Sequence, residues 1–210
     1  MSISIKNIPA FPVYIHEVKD LLKPEHVESL KQTCDNLEYI DSNNGLYQSQ
    51  DSYLQNDERF KKITLYIRSV LRTIKIAELY DADDFEISQM WVNRARKNAC
   101  HEQHWHSNSF FSGIFYLTEG SPTVFYDPVI GRQMSSLNVW AETNQPAIVL
   151  PAEVGTLRVF PSYFQHKTLP NEMDEDRISI SFNSVPVGKV NTRNPYTRLS
   201  ELSISIAGDK

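Results

Sequence analysis

The sequence predicts a mainly β domain with N-terminal helices, the helices packed outside a jelly-roll-like core. Three observations carry this. Apolar residues recur at helical steps only before about residue 80, six short strand-like runs follow Phe85, and Gly and Pro punctuate those runs. Helices first and strands afterwards is the order of a layered fold with segregated elements. With 210 residues, 40% of them hydrophobic and 22% charged, the chain can bury one sizeable core but hardly two. The expectation is a single domain over 1–210. Residues 1–84 form the helical and strand support, 85–190 the jelly-roll core, and 191–210 a tail.

Residues 11–18 (F-P-V-Y-I-H-E-V) read as an entering strand, with His16 a structural residue. Lys23-Pro24 opens a helix, since Pro is tolerated at the first helical position. Val27, Leu30, Cys34 and Leu37 form its buried stripe, so Cys34 reads as core rather than as a reactive thiol. Residues 41–56 are polar and turn-rich and read as a loop. A longer helix follows over about 57–79, its apolar face made by Phe60, Ile63, Ile67, Val70, Leu71 and Ile74. The acidic D-A-D-D at 81–84 reads as the solvated turn that closes it. The six strand runs are F-E-I-S-Q-M-W-V-N-R-A, S-G-I-F-Y-L, P-T-V-F-Y-D-P, A-I-V-L-P, G-T-L-R-V-F-P and R-I-S-I-S-F-N. L-S-I-S-I in the tail could add an edge strand.

A net charge of −5 argues against a broad nucleic-acid-binding face. No stretch reaches the length of a membrane span, and M-S-I-S-I-K-N lacks the order of a signal peptide. Two cysteines, Cys34 and Cys100, make no disulfide framework. Together these features predict a cytoplasmic protein.

The chemistry concentrates in C-H-E-Q-H-W-H-S-N-S-F-F-S-G-I-F-Y-L, which starts at Cys100. His104 and His106 are two apart, so on a strand both leave from one face. Imidazole is the commonest protein ligand for a transition metal. His166, at the end of V-G-T-L-R-V-F-P-S-Y-F-Q-H, is the candidate third ligand. Arg177 opens R-I-S-I-S-F-N, where Arg177, Ser179, Ser181 and Asn183 share one face. An Arg fork beside a hydroxyl suits one carboxylate. The blander reading of that face, a solvated edge strand, is about as good on the strand alone. Asn93, Arg94 and Trp105 could also line a pocket, although Trp105, lying between the two histidines, should point the opposite way and pack in a core.

The ordered combination H-x-H, then G-x-L-x-x-F-P-S-x-x-x-H, then R-x-S resembles the Fe(II)- and 2-oxoglutarate-dependent oxygenases. More narrowly, H104-W-H-S-N-S-F-F-S-G-I-F-Y-L117 is similar to the signature of a small family of such oxygenases frequent in phages and bacteria. The resemblance covers about residues 88–184. It implies a double-stranded β-helix core with bound Fe(II), the cosubstrate 2-oxoglutarate, and O2. His104 and His166 would be histidine ligands, with Arg177 and Ser179 on the distal carboxylate. Tyr116 lies where related prolyl hydroxylases place a tyrosine on that same carboxylate, and Asn183 is a further pocket candidate.

One position departs from the pattern. The superfamily's usual second ligand is a carboxylate, and here it is His106. Either three histidines bind the metal, which is favoured because His106 is already in register, or a carboxylate such as Glu102 or Asp127 supplies the third ligand. A three-histidine set would also suit zinc. His101 is out of register and reads as surrounding structure. The expected reaction is hydroxylation of a peptidyl or small-molecule C–H bond coupled to decarboxylation of 2-oxoglutarate to succinate. Its entrances would be formed by residues 41–56 and 131–145. The alternatives are a cupin-like metal enzyme that does not use 2-oxoglutarate and a non-catalytic jelly-roll module.

Overall fold

A computed structural model describes residues 4, 6–10, 13–128 and 146–204; the expected entrance at 131–145 lies outside them. The chain begins with an antiparallel pair, β1 (Lys6–Ala10) and β2 (Val13–Val18), where the sequence suggested one strand. Helix α1 (Pro24–Asp35) starts at the expected proline and buries Val27, Leu30 and Cys34. Residues 41–56 are not simply a loop. β3 (Tyr39–Asn43) and β4 (Leu46–Ser49) form a hairpin around Asn44 and Gly45, both at positive φ (44° and 86°). Asn-Gly is the pair that a tight hairpin turn selects. A 3-10 turn over 58–60, capped by Asp57 accepting the Arg59 N–H, leads into α2 (Lys61–Ala77).

The acidic run does not form a free turn. β5 (Ala82–Ala95) already includes Asp83 and Asp84. Asp83 accepts the Lys189 N–H, Asp84 pairs with Arg72, and Asp81 accepts from Thr192 and Arg193. The charges therefore staple the helix and the tail to the strand. The remaining strands are β6 (Phe111–Tyr116), β7 (Gly120–Tyr126), β8 (Ala147–Ala152), β9 (Leu157–Pro161), β10 (His166–Thr168), β11 (Arg177–Val190) and β12 (Leu199–Leu202). All six strand runs read from the sequence carry strands. The three-residue β10 is additional, and β12 begins three residues before the expected tail run.

The strands form two sheets. The larger has the order β1-β2-β9-β6-β11-β5-β4-β3, with β12 added on β11; the smaller is β10-β7-β8. Alternation divides the larger sheet. One face carries Met90, Val92, Ile178, Ile180 and Phe182, which merge with Ile63, Ile67, Val70, Leu71 and Ile74 of α2 in the main core. Each fully buried aliphatic or aromatic side chain there contributes roughly 1.5–3 kcal/mol of transfer free energy. The other face turns to the smaller sheet over a second cluster that includes Ile114, Tyr116, Phe125 and Phe160. This two-layer β arrangement with helices outside one face is what positions the site. Gly113 in β6 leaves room for the Phe182 ring of the adjacent β11: an added Cβ there would lie 2.3 Å from that ring and 2.9 Å from the Arg158 carbonyl oxygen of β9. Among the described residues, no helix is long and apolar enough to cross a membrane.

Candidate functional site

The histidine segment leaves the larger sheet after β5 and crosses to the smaller one. It is not the strand that the spacing suggested. Among the described residues its one bridge is His104 with His166, closed by His104 N–H to His166 O at 3.0 Å and the reverse bond at 2.9 Å. His106 N–H then donates to Ser162 O at 3.0 Å. These bonds tie the segment across the entry to β10 and bring the three rings together. One ring nitrogen from each of His104, His106 and His166 lies within 4.8 Å of the others.

Which nitrogen is free follows from what holds its partner. Nδ1 of His104 is 2.7 Å from the Glu102 carbonyl oxygen and Nδ1 of His166 is 2.9 Å from that of Phe164. Nδ1 of His106 is 2.6 Å from Asn183 Oδ1. Carbonyl and amide oxygens only accept, so each Nδ1 carries a proton, and in the neutral ring Nε2 is the nitrogen left with a lone pair. Burial lowers His166 to about 3 and His106 to about 4, because a charged imidazolium loses its hydration there. Neutral rings are what a metal requires. Glu102 offers its backbone rather than its carboxylate, and neither it nor Asp127, buried just after β7, belongs to the group.

His101 is half-buried on the same cavity wall, its ring 5.8 Å from His104 and outside the group. Burial first, and then the charge of Arg177, lowers it to about 3. Trp105 does not pack in a core; it is 59% exposed. Alternation buries the intervening residue only when a sheet is covered on both faces, and this segment has solvent on its far side. Arg94 is also turned away from the cavity. It lies opposite Ile178, pairs with Asp35 and Asp176, and sits over the Tyr39 ring.

The other wall comes from β11, which is central, hydrogen-bonded to both β5 and β6. Its polar residues therefore do not face bulk water as an edge strand's would. Arg177, Ser179, Ser181 and Asn183 are all buried, between 1% and 7% exposed. Arg177 and Ser179 open on the cavity that His104, His106 and His166 also line. Among the described residues the Nε of Arg177 has no hydrogen-bond partner; Nη2 makes a long contact of 3.5 Å to Thr123 Oγ1, and the Tyr116 side chain is its other polar neighbour. Burial lowers its proton affinity. Tyr116 lies beneath it, 5.4 Å from the guanidinium to the ring centroid, with its hydroxyl bonded to Thr123 Oγ1 at 2.9 Å.

Asn93 lines the cavity, as the sequence suggested, and the residues around it carry little sequence signal. Asn93 is a hub: its Oδ1 accepts from Gln48 Nε2 and Trp91 Nε1, and its Nδ2 donates to Ser181. Trp91 stacks on His106, with centroids 5.8 Å apart. Gln48 reaches the cavity only because residues 39–49 fold as a hairpin beside β5; the Asn-Gly pair was the signal for it. Arg158 is 1% exposed, lies 5.2 Å from the Tyr116 ring, and bonds to Glu17 Oε2 at 3.0 Å. A charged residue inside the buried run L-R-V-F-P was its signal.

Residues 89–183 match the family described as "Putative 2OG-Fe(II) oxygenase". No curated protein matches the sequence. Among solved structures, the chain is similar to HygX from Streptomyces hygroscopicus with nickel and 2-oxoglutarate bound, at 11% identity and a TM-score of 0.58 over 82% of each chain. It is similar to a prolyl-4-hydroxylase of Pseudomonas putida at 14% identity and a TM-score of 0.57, over 80% of this chain and 90% of that one. It is also similar to the non-heme alpha-ketoglutarate-dependent epimerase SnoN from nogalamycin biosynthesis, at 12% identity and a TM-score of 0.62, over 91% and 87% of the two chains. At these identities the likeness is one of fold, the jelly roll. The matched segment, residues 89–183, is similar to the 2-oxoglutarate- and Fe(II)-dependent oxygenases, and the fold is one that such enzymes share.

Proposed function

We propose that the chain is a 2-oxoglutarate-dependent oxygenase that hydroxylates a C–H bond of a peptidyl or small-molecule substrate. In this reading His104, His106 and His166 hold Fe(II), while Arg177 and Ser179 hold the distal carboxylate of 2-oxoglutarate. The observation that carries it is Arg177. A buried guanidinium with an unpartnered Nε, opening on the cavity that three imidazoles line, is costly unless an anion completes it.

The donor set fits the metal: three imidazoles, each with Nδ1 engaged and Nε2 free, suit a first-row divalent ion. The opposite wall fits a small dicarboxylate, since the Arg fork and the Ser179 hydroxyl present charge and a directional donor together. Once bound, the iron and 2-oxoglutarate supply O2 activation coupled to decarboxylation to succinate and CO2. The chain's own residues fix and shield that chemistry. Arg177 anchors the cosubstrate at one end, and the Tyr116 ring under it excludes water. Asn93 holds Gln48, Trp91 and Ser181 in place, leaving an uncharged wall for the substrate. A triad without a carboxylate leaves the metal's full charge uncompensated by the protein, which favours an anionic cosubstrate.

The test is an anaerobic titration of metal-free protein with Fe(II) and then 2-oxoglutarate, followed through the visible charge-transfer band of the chelate. A band that saturates in the wild type and is lost in Arg177→Ala supports the reading. Tight metal binding without any band would sink it in favour of a cupin-like enzyme, whose three histidines need no Arg177. Succinate released with a hydroxylated product, against succinate with an epimerised or otherwise oxidised one, decides the outcome of the reaction.

A further inference from the structure

The three histidines differ in how their second nitrogen is held. His104 and His166 donate to backbone carbonyls, whose places are set by the path of the chain. His106 alone rests on a side chain, Asn183. That amide is itself fixed from two further directions. Its Oδ1 also accepts the Ser112 hydroxyl at 2.9 Å, and its Nδ2 donates to Gln89 Oε1 at 3.3 Å. Ser112 is fully buried, and its hydroxyl lies 2.8 Å from that of Ser162, which lies 2.8 Å from that of Ser109. Asn183 is 7% exposed and faces the histidine group rather than Arg177.

The geometry points to Asn183 and Ser112 as positioning residues for His106. Asn183 fixes the Nδ1–H tautomer and the plane of the ring, so that Nε2 presents its lone pair to the metal. Ser112 donates to the same amide oxygen and sets which end of the amide faces the ring. This assigns a part to both serines of the H-x-H-x-x-S-x-x-S-G stretch: Ser112 acts on the amide, and Ser109 closes the run of hydroxyls behind it. It also gives Asn183 a place different from the cosubstrate contact that its strand face suggests. The inference rests on the reading of the three histidines as a metal site, and it makes a claim of its own about the metal-free protein. An amide acceptor leaves His106 an ordinary neutral donor; a carboxylate there would make it a stronger one.

Two measurements test this on the full chain. The first is a long-range 1H–15N spectrum of the metal-free protein, which reports the tautomer of each histidine. His106 should carry its proton on Nδ1 in the wild type and lose that single tautomer in Asn183→Leu, while His104 and His166 keep theirs. The second is Co(II) affinity, read by titration of the visible bands. Asn183→Leu should weaken it about 10–100-fold, the usual range for losing such a partner. Ser112→Ala should weaken it less, and Asn183→Asp should bind at least as tightly as the wild type. A merely structural role predicts that Asp and Leu lose affinity together, in step with thermal stability, and that result overturns the proposal. So does an unchanged His106 tautomer in Asn183→Leu. If Asn183→Leu does not fold, the order of Asn183→Asp, wild type and Ser112→Ala still decides. A wild type that binds no Co(II) would defeat the metal reading instead, and the tautomer result would stand apart from it.

Discussion

Two buried arginines lie over the ring of Tyr116, and their surroundings are opposite. Arg158 is 5.2 Å from the ring and is neutralised: Nε meets Glu17 at 3.0 Å and Nη1 donates to the Pro151 carbonyl. Arg177 is 5.4 Å from it and, among the described residues, meets no carboxylate: it has the Tyr116 side chain, a long contact to Thr123, and an unpartnered Nε. The same residue type at the same depth thus serves two ends. The Arg158 charge is completed inside the protein and ties β2 to β9. The Arg177 charge has no ion-pair partner among the described residues, and in the proposed function 2-oxoglutarate completes it. In a buried region, the missing partner is more informative than the residue.

The largest effect expected from this contrast is on folding. Glu17→Ala leaves Arg158 buried without its carboxylate, and removing one member of a buried pair costs about 3–5 kcal/mol. Chemical denaturation should show it as a lower midpoint at unchanged slope. If the loss is under about 1 kcal/mol, Arg158 is not held by Glu17 and the contrast fails. Arg177→Ala should behave in the reverse way. Its 2-oxoglutarate affinity should fall by 100-fold or more, the result of removing a buried charge-assisted contact worth about 3 kcal/mol. Its stability without ligand should not fall by a comparable amount, because a charge with no counterion is being removed. A large loss of stability in Arg177→Ala would show that this charge too is structural.

How much of this was legible in the sequence depends on the range of the signal. Arg177, Ser179, Ser181 and Asn183 announce their common face through a two-residue period, and the long central β11 preserves it. The convergence of His104, His106 and His166 was readable from spacing and resemblance, although for the wrong local reason, since residues 104–106 cross between sheets and are not in a strand. Glu17 and Arg158 stand 141 residues apart and pair through sheet register, which no local pattern encodes. Gln48 was hidden by reading a polar stretch as a loop when Asn44-Gly45 marked a hairpin. Asn183 shares the strand face of Arg177 yet bonds to His106, because a strand face shows where a side chain points, but not which end of a cavity it reaches.

The neighbours His16 and Glu17 on β2 sharpen the contrast further, since one is buried neutral and the other in an ion pair. His16 is 3% exposed, and burial lowers it to about 4. An unfolded histidine titrates near 6.5. Between those values the unfolded chain binds the extra proton, so stability rises with pH there and is lost as pH falls from 6.5 toward 4. The loss from this one group amounts to about 3 kcal/mol. Denaturation of the metal-free protein over that range should show a shallower fall in His16→Gln than in the wild type. Equal slopes would mean that His16 stays neutral in neither state more than the other.

The smallest effect belongs to Trp105, and it separates the two ways of placing the histidine segment. If residues 104–106 were a strand in a covered sheet, Trp105 would be a core residue, and Trp105→Ala would cost about 3–5 kcal/mol. With the segment tied across the entry to β10, the indole is 59% exposed. A substitution away from any buried contact changes stability by about 0.5 kcal/mol or less. The indole stands between two histidines of the group, so its loss is felt, if anywhere, at the entrance. Trp105→Ala should therefore melt with the wild type and bind Co(II) and 2-oxoglutarate as the wild type does. A change confined to the Michaelis constant for the organic substrate would place the indole on the substrate's path. A drop in melting temperature of many degrees would instead return residues 104–106 to a strand, and the two-sheet placement of the histidines would have to be redrawn.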